Sequence, residues 1–395
     1  MKPISTIALE IFWLSIAVIL YTYFIYPAVL LVCYSVSQLR TDLRYLFNRV
    51  DRRVGRFAKV EAPGVTFVVP AYNEEKHLPA KLANLRGIEY PREKLQVIIV
   101  SDGSTDGTND ILKEIQDPCV EPVILSQRGG KANALNCAVA RASHDLLVFS
   151  DAGTMFEPDA VRKLVRHFAN PQTGAACGAL RFQASSESQQ TEGVYWKYES
   201  ALRLMESRLG ASLNASGAVY ALRREAYQPL AQGAVLDDLL VPMNARKLGY
   251  GVIYDPEAIA TDYAPETIQG EFARRVRIAA GSFQALPELL RMNLTGFTAF
   301  SFYSHKLLRW LLPFFLIALL LSNGFLVGRT FYAGFAAAQI LFYAWAILGG
   351  TCSKQLKRVR FGLIGHFLVA MNAAFLVGFF RYLKNRNSIE WQRVS

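Results

Sequence analysis

Four stretches of this sequence contain no Asp, Glu, Lys or Arg: 11–36, 310–328, 330–353 and 361–380. A helix rises about 1.5 Å per residue and the hydrocarbon core of a bilayer is about 30 Å thick, so runs of this length can span it. Between them the chain is mixed and carries ordinary charge density. The order is therefore apolar anchor, soluble domain, apolar bundle. We divide the 395 residues into an anchor with a basic tail (1–59), a soluble domain (60–270), an interfacial helical segment (271–305) and a C-terminal membrane region (306–395).

The first run is too long for a cleaved signal peptide and lacks its small-residue cleavage pattern, so it reads as an anchor. Only Lys2 precedes it, whereas Arg40, Arg44, Arg49, Arg52, Arg53, Arg56 and Lys59 follow, against Asp42 and Asp51. Positive flanks stay inside, which predicts a multi-pass protein of the cell (plasma or inner) membrane with its soluble domain in the cytoplasm. The same basic stretch would favour anionic headgroups of the bilayer. Three later crossings would carry Arg381, Lys384, Arg386 and Arg393 outward against that rule, so the number of C-terminal crossings stays open. The formal charge of +11 does not imply nucleic acid, because much of the excess is juxtamembrane and no aromatic-plus-basic recognition motif occurs. Cys33, Cys119, Cys137, Cys177 and Cys352 are scattered without a CxxC pair, which points to buried thiols and not to a disulfide framework or a zinc site.

Within the soluble part, short apolar β-branched runs alternate with helical patterns. Strands are expected at 65–70, 96–101, 120–125 and 146–150, and helices at 77–86, 108–115, 131–142 and 192–209. Such alternation predicts an α/β domain with a mainly parallel sheet. In these sheets ligands lie beyond the carboxyl ends of the strands. Three of the predicted strand ends carry polar chemistry: Ala71-Tyr72-Asn73-Glu74, Asp102-Gly103-Ser104-Thr105-Asp106-Gly107, and Asp151. The G-x-G-x-x-G of a dinucleotide fold is absent from the first turn. Asp102, Ser104, Asp106 and Gly107 imitate an EF-hand loop, but its last ligand would be Lys113, which excludes calcium. Gly130-Lys131 lacks the following Ser or Thr of a phosphate loop.

Taken in order, Pro70-Ala71-Tyr72-Asn73-Glu74-Glu75, Ser101–Thr108, Gly130-Lys131-Ala132-Asn133-Ala134-Leu135-Asn136, the Asp151 segment, Leu236-Asp237-Asp238 and Arg274-Arg275-Val276-Arg277-Ile278 resemble the membrane-embedded family 2 glycosyltransferases, the group of cellulose, chitin and hyaluronan synthases. The resemblance covers most of the chain, and its fold is the nucleotide-sugar-binding α/β type called GT-A. It implies that Tyr72 and Glu74 lie against the nucleoside of a UDP-sugar and that Asp102 accepts a hydrogen bond from a uracil N–H, as an ionised carboxylate can. Lys131 would meet the nucleotide or its diphosphate as a point charge. Asp151 takes the first place of the family's D-x-D motif, which meets a metal–diphosphate complex, so Mg2+ or Mn2+ is the implied cofactor. Gly153 stands where the second metal-binding Asp usually sits. Asp237 and Asp238 match the acidic pair whose second member is the catalytic base, with Asp237 a supporting acceptor contact. Arg277 fits the arginine of Q-x-x-R-W, where it would clamp diphosphate, while Arg274 replaces the Gln and Ile278 the Trp on which an acceptor sugar rests.

Each of these residues also has a plainer reading. Asp102 suits a Gly/Ser turn, Lys131 an exposed helix start, the Asp237-Asp238 pair a helix N-terminus, and Arg274–Ile278 a basic interfacial face. The expected activity is that of an inverting hexosyl- or N-acetylhexosaminyltransferase extending an extracellular or capsular polysaccharide, with translocation of the product through the C-terminal helices. The alternative is single-step transfer to a membrane lipid; a silent binding subunit is a third reading, suggested only by Gly153. The implied partners are a UDP-sugar, a polysaccharide or glycolipid acceptor and the lipid bilayer, with further subunits left open.

Overall fold

A computed structural model describes residues 2–48, 62–183, 188–215, 217–263, 268–351 and 360–384. The basic residues from Arg49 to Lys59, Cys352, Arg386 and Arg393 lie outside the described residues. Two helices, α1 (Lys2–Leu20) and α2 (Tyr26–Asn48), run through a short π-helical turn and open the chain. The α/β part follows as β1 (Val65–Ala71), α3 (Leu78–Arg86), β2 (Leu95–Asp102), α4 (Thr108–Lys113), β3 (Val120–Leu125), α5 (Lys131–Arg141), β4 (Leu146–Phe149), β5 (Met155–Phe156), α6 (Ala160–Val165), β6 (Thr173–Gln183), α7 (Ser188–Arg208), β7 (Tyr220–Arg223), α8 (Asp237–Lys247) and β8 (Gly251–Tyr263). Helices α9 (Ile268–Arg291), α10 (Gly296–Ser301), α11 (Leu308–Gly324), α12 (Thr330–Thr351) and α13 (Arg360–Lys384) complete it.

Every residue of β1 is buried, as an apolar strand in the middle of a sheet must be. Successive side chains point to opposite faces. Phe67 and Val69 therefore pack with Ile99, Leu78 and Leu164 under α3 and α6, while Val68 packs with Ile98, Val100, Leu135 and Leu240 under α5 and α8. The sheet order is β3-β2-β1-β4-β7-β6-β8-β5. β1, β2, β3 and β4 are mutually parallel, and β7 enters antiparallel between β4 and β6. The chain winds outward from β1 to β3 and returns to the other side of β1 as β4. The two following loops diverge there and leave a crevice at the carboxyl ends of β1 and β4, the topological switch point where open α/β sheets bind ligands.

The predicted helix at 192–209 forms part of α7, and the predicted helix at 108–115 ends at Lys113. Of the described cysteines only Cys177 is buried, so the expectation of buried thiols holds for that residue and not for Cys33, Cys119 and Cys137, which are partly exposed and free.

Four helical segments are long and apolar enough to cross a membrane by length and composition: 5–44, 296–324, 330–348 and 365–384. Their flanks expose large apolar side chains, such as Phe24 (67%), Leu321 (62%) and Leu341 (68%), as helices bathed in lipid do. The 296–324 segment runs through the 305/306 border expected from sequence, because the π-helical turn Phe302–Leu307 joins α10 to α11 without a break. Small residues let helices approach closely. Gly378 of α13 sits on α9, where a Cβ would lie 2.5 Å from the Cβ of Ala279 and 2.8 Å from the carbonyl oxygen of Val276. Gly334 of α12 has open space around it. Gly378→Val should therefore separate α13 from α9 and cost about 1–3 kcal/mol by overpacking, whereas Gly334→Val should be nearly neutral. Thermal unfolding of both variants in detergent tests this, and equal melting temperatures would refute the close approach.

Candidate functional site

The loops after β1 and β2 are tied together before any ligand arrives. Asn73 adopts a left-handed backbone (φ 54). Its backbone N–H donates to Ser104 Oγ (3.1 Å), and its side-chain oxygen accepts from the Thr105 N–H (2.8 Å). The buried Glu74 donates its own N–H to Thr108 Oγ1 at 2.8 Å and places its carboxylate 3.1 Å from His77 Nδ1. The Arg128 guanidinium lies 4.0 Å over the Tyr72 ring, a cation–π contact at the rim of the crevice.

Asp102, for which a uracil contact is expected, holds a turn of the backbone. It is wholly buried, and its two oxygens accept the backbone N–H groups of Gly129 (2.8 Å) and Gly130 (2.7 Å). Gly130, at φ +88 and ψ 164, takes a conformation that only glycine adopts readily. This turn starts α5, so Asp102 orients Lys131, the first residue of that helix. Gly103, at φ +65, completes the turn: a Cβ there would lie 2.7 Å from the Arg128 nitrogen.

Lys131 reaches across the switch point. Its Nζ lies 2.9 Å from Asp151 Oδ1, at the end of β4, and 3.1 Å from Asp237 Oδ2, at the start of α8. Burial opposes charge on the lysine, but the two carboxylates outweigh it and raise its pKa. Asp237 is raised as well. Burial is the main cause, Lys131 resists it, and the neighbouring Asp238 and Asp151 add repulsion. One ammonium shared by two acids thus stays charged, while Asp237 is only partly relieved.

Asp151 rests on a support that the sequence did not signal. Lys81 of α3 is completely buried; its Nζ donates to Ser150 Oγ (2.6 Å) and to the Thr154 carbonyl (2.5 Å), bracketing the Asp151–Gly153 turn. The rings of Phe67 and Phe156 lie 5.4 and 5.1 Å from the same nitrogen. Burial lowers Lys81 to about 7, with Asp151 and Asp262 resisting the fall.

Asp238 is placed through its backbone. Pro242 lies four residues further on inside α8 and has no N–H to offer the Asp238 carbonyl. That carbonyl instead accepts the Ala215 N–H at 2.8 Å, which fixes the start of α8 against the 211–215 segment. Burial raises the Asp238 carboxyl, although Lys131 and Arg203 pull it back. Arg277 is lowered by burial and next by Arg274, while Asp151 and Asp237 pull its charge the other way. Arg274 pairs with Glu271 at 3.3 Å and lies over the Phe182 ring. The structure therefore gathers Lys131, Asp151, Asp237 and Asp238 into one centre with Arg277 in its field. Tyr72, Glu74 and Asp102 sit on the β1–β2 side of the crevice, and Arg274 on the membrane side.

Asp238 also borders a chamber of about 210 Å3 between the soluble domain and the membrane helices. Glu199, Arg203, His305, Lys306 and Arg309 line it, and sequence reasoning assigned none of them. A signal existed: His305, Lys306 and Arg309 head a long apolar helix, where ionisable residues mark function.

The acids present suit a divalent cation only in part. Among the described residues no three His, Cys, Asp or Glu side chains converge to hold an ion. Asp151 offers one carboxylate, 40% exposed, and Asp237 is engaged with Lys131. Mg2+ keeps waters and phosphate oxygens as ligands, so a single carboxylate suffices when a diphosphate supplies the rest.

Known proteins resemble this chain in sequence and in fold. Residues 66–230 match the family described as Glycosyl transferase family 2. Poly-beta-1,6-N-acetyl-D-glucosamine synthase of Staphylococcus aureus (strain COL) is 28% identical over 275 residues, 66% of this chain and 65% of that protein. The enzyme of the same name from Staphylococcus epidermidis is 29% identical over 249 residues, 61% of this chain and 59% of that protein. The chain thus spans less than two thirds of these relatives' own length. Among solved structures, a mannosyltransferase from Pyrobaculum calidifontis in complex with GDP-Man and Mn2+ superposes with a TM-score of 0.71 at 23% identity, covering 95% of this chain and 100% of that one. The fold is accordingly of the GT-A type, joined to helices suited to a membrane.

Lys81 yields a pH test. An unfolded lysine holds its proton up to about 10.5, whereas buried Lys81 releases it above about 7, so the unfolded state binds more protons across that window. The penalty for burying the charge is complete below pH 7 and fades as pH rises. The stability of Lys81→Met relative to the parent should therefore be highest near pH 6 and should fall between pH 7 and 10, whatever the loss of the two hydrogen bonds costs. Denaturant unfolding of both proteins across this range is the measurement; a constant difference would show that Lys81 stays charged throughout.

Proposed function

Since residues 66–230 form a family 2 glycosyltransferase domain, we propose that this chain is an inverting, UDP-sugar-dependent transferase of the membrane that adds N-acetylhexosamine or hexose to an extracellular polysaccharide. The observation that carries this reading is the meeting of Lys131, Asp151 and Asp237 at the switch point, with Asp238 beside them. The names of the staphylococcal relatives favour N-acetylglucosamine as the sugar.

In this reading Tyr72 and Glu74 border the nucleoside, and Asp102 acts through the turn that aims Lys131. Lys131 and Arg277 face the diphosphate, whose charge grows as it leaves; preorganised cations in a site with little water stabilise that charge strongly. Mg2+ or Mn2+, held by Asp151 and the diphosphate itself, would neutralise further charge when bound. Asp238 takes the proton of the acceptor hydroxyl as its oxygen bonds to the anomeric carbon, and the bond to the diphosphate breaks on the opposite face, inverting that centre. A carboxyl raised by burial is a stronger base once ionised, which suits it to the task. Arg40 and Arg44, at the end of the first apolar segment, support a cytoplasmic catalytic domain in the cell's inner or plasma membrane. Passage of the product through the C-terminal helices and cooperation with other subunits belong to the same proposal.

A second form of the reading, single-step transfer to a membrane lipid, draws on Ile278, which offers no ring to an acceptor sugar, and on the small size of the chamber beside Asp238.

The test is incubation of the purified full chain in nanodiscs with labelled UDP-sugars, divalent cation and membrane lipid, followed by sizing of the product. Label from UDP-N-acetylglucosamine in large material supports polymer extension, and label confined to the lipid extract supports the second form. Asp238→Asn should lower transfer by about 10²–10⁴-fold while UDP binding persists. Undiminished transfer by that variant would remove Asp238 as the base.

A further inference from the structure

Tyr220 carries a buried hydroxyl with no evident employment. Its side chain is wholly buried at the start of β7, and among the described residues its Oη has no hydrogen-bond partner. The ring is well placed without that oxygen: it stacks on Phe149 at 4.5 Å between centroids, and Phe149 stacks in turn on Tyr227 at 6.1 Å. Tyr227 shows what a buried hydroxyl ordinarily does, since its Oη donates to Asn136 Oδ1 at 2.7 Å. A phenylalanine would fill the place of Tyr220 equally well, and an unpaired polar group in the core costs stability. The hydroxyl therefore calls for an acceptor that this arrangement of the chain does not yet offer it.

Its surroundings identify that acceptor. Tyr220 pairs with Phe149 across the β4–β7 register, two residues before Asp151. The chain just before β7 packs on Asp238: the Ala215 N–H donates to the Asp238 carbonyl, and a Cβ on Gly217 would lie 3.6 Å from the Asp238 side chain. The hydroxyl thus lies in the field of the acid centre. Burial first, and then Asp237 ahead of the other acids, keeps its proton in place, so it can only donate. Asp237 is also the acid most in need of a donor. Its Oδ2 depends on Lys131, 3.1 Å away, while Asp151 holds the same ammonium at 2.9 Å. In the proposed transferase Lys131 faces the donor's diphosphate as well, which would leave Asp237 a buried carboxylate with a weakened partner. We infer that Tyr220 is a positioning residue for that state: its hydroxyl donates to Asp237 when the diphosphate draws Lys131, and so keeps Asp237 aimed at the acceptor. This inference rests on the transferase reading and adds to its site a residue that none of the sequence motifs contains.

The test is UDP binding, with Mg2+ present, to the full chain in nanodiscs, for the parent, Tyr220→Phe, Asp237→Ala and the double variant. Tyr220→Phe loses no hydrogen bond in the free protein, so its melting temperature without UDP should equal or exceed the parent's. Its UDP affinity should fall about tenfold, as the loss of one hydrogen bond to a charged group implies. In the Asp237→Ala background the same change should leave UDP affinity unaltered, because Tyr220 acts through that carboxylate. A second measurement leaves Asp237 intact: in protein labelled with 13C at tyrosine Cζ, the resonance that Tyr220→Phe removes should shift when UDP is added. Undiminished UDP affinity in Tyr220→Phe, or an unmoved resonance, overturns the inference. An equal loss of affinity in the Asp237→Ala background also overturns it, because the hydroxyl would then serve the diphosphate directly. A lowered melting temperature of free Tyr220→Phe overturns it too, as the mark of a merely structural hydroxyl. A parent that binds no UDP at all removes the transferase reading, and this inference with it.

Discussion

Lys131 lies between Asp151 and Asp237, and through these contacts three separate parts of the chain are joined. Asp151 ends the parallel half of the sheet, Asp237 opens α8, and Lys131 opens α5 on the turn that Asp102 holds. Such a buried set is held together only while all members are present, since removing one partner strands a charge in a poorly solvated place. The geometry of the crevice therefore depends on this shared ammonium. Two acids already share one ammonium, so an arriving anion competes with them for Lys131. Asp151, together with the oxygens of a diphosphate, would hold a divalent cation that supplies positive charge there, even though Gly153 offers no second carboxylate.

Backbone hydrogen bonds set the two carboxylates that matter most. The turn bearing Asp151 is fixed from beneath by Lys81, which spends an expensive buried charge on Ser150 Oγ and on a carbonyl. The carbonyl of Asp238 is left by Pro242 for Ala215, so the start of α8 is anchored outside its own helix. In both cases the support acts on main chain flanking the acid and leaves the acid itself to meet its partners.

The strands were legible because β1, β2 and β4 are continuous apolar runs, and their polar ends could be read from the chemistry of Glu74, Asp102 and Asp151. What those acids touch was not legible. Asp102 has a nucleobase and a turn reading on paper; only the approach of Gly129 and Gly130, 27 and 28 residues away, shows the turn that it holds. Lys81 looked like any helical lysine, because its burial depends on α3 packing over β5 and the Asp151 turn. The charged chamber was split over α7, α9 and the head of the 296–324 helix, so no local pattern contained it. Glu199, Arg203 and Glu206, spaced to share one face of a helix, were the nearest thing to a local sign.

Those same residues make the soluble and membrane parts a single unit. Glu206 of α7 accepts from Tyr26 Oη of the first membrane segment and lies 2.6 Å from His305 Nδ1 of the second, and Tyr21 Oη reaches Ser304 at 2.7 Å. Tyr26, Glu206 and His305 are all buried, so breaking the contact would leave polar groups without water or partner. The membrane helices therefore complete one wall of the chamber that Asp238 faces. The donor crevice is assembled from strand ends of the soluble domain alone, whereas the chamber exists only where that domain meets the helices. Any acceptor that reaches Asp238 through it must do so at the membrane boundary, and its chemistry is accordingly chosen by residues on both sides of that boundary.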